Sequence, residues 1–296
     1  AGAKTGTTEV SKSDGTGTYY LHVQGQNLRD QAGNTATPVA YGTFKIDNQG
    51  PTISYGTNGN TTYKKTQSTT VTVTDNGGST VNTESLKYQW LQTTTQPQES
   101  SFTSTFENKG TVSKSDGTGD NWYLWIIAKD NLGNTTITKS NAFYLDNTAP
   151  STTAPTTTAT TNTITVTPKQ TDNNSGINKS TYQYSIKKTT ESTWGGWVTD
   201  TNTTHTFTGL SLNTSYDIRT QVKDISGNGY TISSTKTITT VNITKPTINV
   251  PNTGWTNQNI TVTIAYPEIQ GITKQYSYNN STWQTYTGPL TIDSNK

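Results

Sequence analysis

The sequence predicts an all-β chain, built as tandem β-sandwich modules in an elongated array. Three observations predict it. An apolar and aromatic run that stops at Asp-x-x-Gly-Asn is written three times along the 296 residues. Between the copies, apolar residues alternate with the period of 2 that marks half-buried strands. No long segment has the 3.6-residue period of a helix.

The repeat sets the organisation. Its turn reads DQAGN at Asp30, DNLGN at Asp130 and DISGN at Asp224, and VSKSDGTG occupies both 10–17 and 112–119. Prolines after a polar linker keep step: IDNQGP ends at Pro51, LDNTAP at Pro150 and NITKP at Pro246. Repetition at this length marks modules stacked along a chain. The expected modules are 51–149 and 150–245, with the C-terminal half of a module in 1–50 and the N-terminal half of one in 246–296. Neither half can bury its own sheet face. A window on a longer array accounts for this, as it does for the absence of methionine. Alternatively, half modules of different copies complement one another and build a filament by strand addition.

Within a module, TTVTVTD (69–75), NTITVTP (162–168) and NITVTIA (259–265) read as the first alternating strands. YQW (88–90), YQY (182–184) and YSY (276–278) follow, with aromatics two apart, and STWGGW (192–197) matches STWQTY (281–286). The run YLWIIAKD (123–130) is the penultimate strand. Aligned on its final Asp, Trp122, Leu124, Ile126 and Ala128, like Tyr216, Ile218, Thr220 and Val222, face the core. A Thr-rich tail closes the module. Short strands separated by turn signals in about 100 residues describe a Greek-key sandwich. Only 27% of the chain is hydrophobic, so sheets buried on one side only are expected.

At 206–224 the segment TFTGLSLNTSYDIRTQVKD resembles the fibronectin type III pattern, with Leu210 and Thr214 leading to Tyr216, which is similar to the tyrosine corner. The other modules resemble bacterial immunoglobulin-like repeats, which often close on Asp-x-x-Gly-Asn and are joined by Asp-Asn-Thr-Ala-Pro. The resemblance implies Ig-like and fibronectin III-like modules of an extracellular bacterial stalk or fibre, on the cell surface or attached to the wall. Its work is to space or display other domains, and its partners are neighbouring modules of the same longer chain.

Composition excludes several other classes. The 21 basic and 19 acidic residues are scattered, so no basic cluster tracks the phosphates of a nucleic acid. No apolar run approaches the ~20 residues of a membrane helix. Without cysteine there are no disulfides or thiolate metal sites. Histidine occurs only at His22 and His205, the latter in TNTTHTF without a patterned acidic partner. No HExxH, Gly-rich phosphate loop or Ser-His-Asp arrangement is written, so no enzyme is expected.

Two sites are candidates. Tyr123 and Trp125 point away from the core and, exposed on a flat sheet, would stack on the sugar rings of a glycan, as in an adhesin; cross-strand packing is the alternative. The Asp of each turn has the richer chemistry. In a seven-stranded sandwich Asp130 (F–G turn), Asp75 (B–C loop) and Asp47 (linker) belong to one pole, and Asp224, Asp172 and Asp146 repeat those roles. Three converging carboxylates suit a hard cation such as calcium between modules. Asp is equally an ordinary turn former, and that reading stays open. At the third junction Asn242 replaces the linker Asp and Glu268 is the nearest acid of the B–C loop.

Overall fold

The computed structural model describes residues 8–24, 29, 31–35, 37–251, 253–267 and 272–293. Contacts divide the chain into two compact units. The first is Ala1–Ala149 together with Asp172–Ile177 and Asp224–Gly229; the second is Pro150–Thr171, Asn178–Lys223 and Tyr230–Lys296. The first unit thus takes in two loops that the repeat boundaries leave in 150–245. Among the described residues no helix is long and apolar enough to cross a membrane.

In the first unit, β1 (Gly17–Val23) and β2 (Val39–Ile46) form an antiparallel pair. Next come β3 (Thr52–Tyr55), β4 (Asn60–Lys64), β5 (Gln67–Thr74), β6 (Val81–Leu91), β7 (Ser104–Thr105), β8 (Thr111–Lys114), β9 (Gly119–Asp130), β10 (Thr135–Lys139) and β11 (Phe143–Leu145). One sheet runs β3-β5-β8 and the other β4-β11-β9-β6-β7, with β10 also on β9. The crossing from β3 to β4 moves the chain between sheets at Gly59. Its φ is +90°, and a Cβ would lie 2.6 Å from that of Asn141, so glycine is required.

Val71, Val73 and Val112 from one sheet meet Leu86, Leu124, Ile126 and Ala128 from the other, all buried. Burying each large aliphatic side chain here contributes about 1.5–3 kcal/mol. Leu124, Ile126 and Ala128 face inward as their period-2 spacing predicts. Trp122, at the rim, is half-buried, with the Lys114 ammonium 4.0 Å above its ring.

One-sided burial does not hold in this unit. On the other face of β9, Trp125 and Ile127 pack with Phe102, flanked by Leu91, Tyr123 and Ile137. The segment between β6 and β7 folds across that face and seats Phe102 on it. An apolar outer row is thereby covered by its own loop, which removes a second patch of apolar surface from water.

The second unit contains β12 (Thr156–Ala159), β13 (Ile164–Thr167), β14 (Gln183–Lys188), β15 (Val198–Thr199), β16 (His205–Phe207), β17 (Ser215–Val222), β18 (Thr231–Ile232) and β19 (Lys236–Thr239). Sheets β12-β13-β16 and β15-β14-β17-β18, with β19 on β17, supply the buried Ile164, Val166, Tyr184, Ile218 and Val222. The Ser211 backbone N–H donates to the Tyr216 hydroxyl at 2.9 Å, which is the geometry of a tyrosine corner. Thr220 also points inward and stays satisfied by donating to Gln170 Oε1 at 2.9 Å. On the outer face the Arg219 guanidinium carbon lies 4.1 Å from the ring centre of Trp194 and 4.8 Å from that of Trp197. That cation–π ladder covers β17 where an apolar cluster covers β9.

The same unit continues with β20 (Thr247–Asn249), β21 (Ile260–Ala265), β22 (Gln275–Tyr276), β23 (Gln284–Thr285) and β24 (Leu290–Ile292). They form a β20-β21-β24 sheet and a β22-β23 pair. The described residues are all-β, apart from two 3-10 turns, and 51–149 and 150–245 each bury a core between two sheets.

Candidate functional site: two carboxylate triads

Asp47, Asp75 and Asp130 each bring one carboxylate oxygen within 4.8 Å of the others, and Asp146, Asp172 and Asp224 do the same. Each triad takes one residue from a linker, one from the loop after a first-sheet strand, and one from the end of the aromatic strand or its equivalent. Asp130, Asp146 and Asp224 are fully buried, Asp47 nearly so, and Asp75 and Asp172 are half-buried. These are the six acidic residues that the repeat singles out, in the groupings it implies.

Local turn chemistry fixes each group. In the first triad, Asp47 Oδ1 accepts from the Gln49 N–H at 3.1 Å and Oδ2 from the Ser79 N–H at 3.0 Å. Asp75 accepts from the N–H groups of Gly77 and Thr80, closing its own loop. Asp130 Oδ1 accepts from the N–H groups of Leu132 and Asn134. The Ser79 hydroxyl lies 2.7 Å from Asp130 Oδ2 and 3.3 Å from Asp75 Oδ2, a polar bridge between two carboxylates. Gly77 leaves room for the linker: a Cβ there would overlap the Asp47 carboxylate.

The second triad repeats the pattern. Asp146 accepts from Thr148 N–H and Ser175 N–H, each at 3.0 Å. Asp172 accepts from the N–H groups of Asn174 and Gly176. Asp224 accepts from the Asn228 N–H at 2.7 Å and from the Asn228 side-chain amide. The loops Asp172–Ile177 and Asp224–Gly229 belong to the first unit because their donors close on the Asp146 linker.

A second function of the Asp-x-x-Gly-Asn phrase then emerges. The Asn134 amide donates to the Asp47 main-chain carbonyl at 3.0 Å, and the Asn228 amide to that of Asp146 at 3.1 Å. The intervening Gly133 and Gly227 have φ of +93° and +85°, the left-handed step that turns the Asn back toward the linker. Asn134, Asn228, Ser79 and Ser175 escape the sequence reading. Their signal is the Gly-Asn that closes each turn, and a Ser that stands three residues after Thr-Asp-Asn in one loop and two in the other.

Each triad gathers three carboxyl groups, and among the described residues no Lys, Arg or His nitrogen pairs with any of the six. Asp47 is held below the usual carboxylate range, first by the Gln49 N–H, against its burial and the nearby Asp130. Burial pushes Asp130 up, yet the Asn134 amide, the Ser79 hydroxyl and two backbone N–H groups bring it below its ordinary value. Both are therefore ionised at neutral pH. All ligand atoms on offer are hard oxygens, and oxygens bound at 2.3–2.6 Å to one Ca²⁺ lie at most about 5 Å apart, so the spacing fits such an ion. Asp30 and Glu268 lie outside the described residues.

The glycan candidates need correction. Tyr123 and Trp125 do share the outer face, but Trp125 is 4% exposed, under Phe102, and its Nε1 donates to the Thr93 carbonyl at 3.1 Å. Tyr123 is half-buried beneath the Lys139 ammonium, 4.4 Å from its ring centre. The loop that covers them is the one whose path the strand pattern does not reveal. His205 also differs from expectation. Its Nδ1 lies 2.9 Å from Asp200 Oδ2, its ring stacks on Tyr184, and the contact holds the Asp200 carboxyl below its usual range. This pair braces β16 and lies apart from both triads in sequence and in partners.

No family model matches the chain, and no curated protein matches it. Among solved structures it is similar to the FN1–FN3 domains of chicken CNTN1, at 17% identity and a TM-score of 0.34, covering 82% of this chain and 84% of that one. It is also similar to domains A168–A170 of titin, at 14% identity and a TM-score of 0.30, covering 75% of this chain and 74% of that one.

Proposed function

We propose that the chain is a structural spacer, a run of β-sandwich repeats in an extracellular bacterial surface stalk or fibre, whose linkers are locked by calcium. The observation that carries this reading is the twofold occurrence of one device: a linker Asp held by two loops, with three carboxylates gathered and no basic side chain to neutralise them. Backbone N–H groups stabilise each carboxylate singly, and the mutual repulsion of three like charges at one place remains. A divalent cation converts that repulsion into cross-linking, because one ion then binds linker and loops together. Neighbouring modules of a longer chain are the partners, and the role is mechanical and non-enzymatic. Lack of cysteine and methionine and sparse charge suit exposure to an oxidising exterior.

Small-angle scattering and calorimetric melting in calcium and in chelator test the reading. Calcium should raise the melting temperature and narrow the spread of inter-residue distances. Identical curves in the two conditions would refute cation locking.

A further inference from the structure

The phrase VSKSDGTG, at 10–17 and 112–119, contributes nothing to either carboxylate triad. Its place in the fold gives it another partner. It leads into β1 and β9, whose first residues stand opposite the last residues of the strands before the linkers. Gly17 pairs with Ile46, and Gly119 with Leu145. The turn of the phrase therefore lies against the residue that follows each linker Asp.

That residue is Asn in both linkers. Asn48 donates its backbone N–H to Thr16 Oγ1 at 2.9 Å, and its side-chain amide to the Ser13 and Gly15 carbonyls at 3.0 and 2.8 Å. Asn147 donates its N–H to Thr118 Oγ1 at 2.9 Å and its amide to the Gly117 carbonyl at 2.8 Å. The Lys65 carbonyl, at 3.2 Å, takes the place of the serine carbonyl there. The rest of the phrase keeps the turn in shape. Lys12 and Lys114 each lie 3.0 Å from the Asp of their own turn, Asp14 and Asp116, and cover the rings of Tyr19 and Trp122. Gly15 and Gly117 have φ of +81° and +85°, and a Cβ would run into the Tyr19 hydroxyl or the Trp122 ring.

The two linker residues are thus held from opposite sides. Asn48 is fastened to the turn before it, while Asp47 is fastened to the loops after it through Ser79 and Asn134. A single exposed hydrogen bond contributes little, but three from one residue fix its backbone and its side chain together. The linker between 150–245 and 246–293 has a different chemistry. Asn242 stands at the Asp position and Ile243, 52% exposed, at the Asn position, and 150–245 contains no VSKSDGTG. The Val241 N–H still donates to the Thr160 carbonyl, and beyond it residues 242–245 make no hydrogen bond among the described residues.

We infer that VSKSDGTG sets the stiffness of the joint that follows it. Where the phrase is present, protein groups alone fix the linker to the preceding strands, before any cation binds. Residues 242–245, without it, form the hinge of the chain, with exposed backbone and few contacts to restrain it. This rests on the tandem-sandwich plan and not on calcium.

The chain has no cysteine, so introduced pairs carry spin labels at chosen places. Thr43→Cys with Ser104→Cys spans the first linker, and Thr208→Cys with Thr261→Cys spans 242–245; all four positions are exposed. Double electron–electron resonance on the full chain in chelator should give a narrow distance distribution for the first pair and a broad one for the second. Asn48→Ala, and separately Thr16→Val, should broaden the first distribution toward the width of the second and leave the second unchanged. Equal widths for the two pairs without these substitutions, or a first distribution unmoved by either one, would overturn the proposal. Because calcium is absent throughout, failure here leaves the cation-locked spacer untouched, and failure of calcium binding leaves this result standing.

Discussion

The Asn134 side-chain amide donates to the Asp47 main-chain carbonyl at 3.0 Å, across 87 residues of sequence, while its own backbone N–H caps Asp130. One residue thus closes a turn and fastens the preceding linker to it. Asn228 holds Asp146 and Asp224 in the same way.

Asn134→Ala should remove the clasp and leave the Asp47 carbonyl short of a donor in a part-buried site. The expected loss is about 1–3 kcal/mol, as for a buried polar group stripped of its partner. Chemical denaturation at neutral pH measures it. Asn134→Asp should be worse, since it places a fourth carboxylate against the triad.

Gly77→Ala probes the linker seat without touching a carboxylate. The new methyl overlaps the Asp47 side chain, so the linker must move and the first triad open. A stability loss of about 1–3 kcal/mol, typical of overpacking, is expected. Calcium titration should show one site lost and the Asp146 site retained.

Acid should weaken the first triad in a defined direction. Asp47 and Asp130 are both depressed in the folded protein. Their contribution is present above the ordinary carboxylate value of about 3.9 and is lost as pH falls through the lower folded values. Unfolding followed against pH in chelator should show this decline, and Asp130→Asn should flatten it. Added calcium should move the decline to still lower pH, because protons and cation compete for the same oxygens.

Trp125→Ala should cost about 3–5 kcal/mol, the usual penalty for emptying an aromatic core position. Trp125 lies under Phe102, so the effect belongs to folding. A melting measurement reads it, and a glycan screen of the wild-type chain should show no ligand that depends on this ring.

Much of this was legible in the residues. Alternation alone places Leu124, Ile126 and Ala128 inward, and the spacing of Asp130 and Asp224 leads to both triads, because repeated loops and linkers of a sandwich converge at one pole. Alternation places Trp125 on the outer face and leaves stacking on a ligand and packing both open; packing holds, and its cover comes from a long connection, 92–103, whose path depends on where Phe102 can bury itself. His205 and Asp200 meet through a turn with no periodic signature. The Asn clasp was hidden by its own ordinariness, since Asn after Gly in a turn needs no distant partner to be understood.

The most direct measurement is calcium titration of the chelator-treated chain by isothermal calorimetry, with Asp75→Asn and Asp172→Asn alongside. Two ions per wild-type chain are predicted, with one lost in each variant. A flat wild-type titration, or a stoichiometry unmoved by either substitution, would contradict cation-locked linkers as the organising feature of this protein.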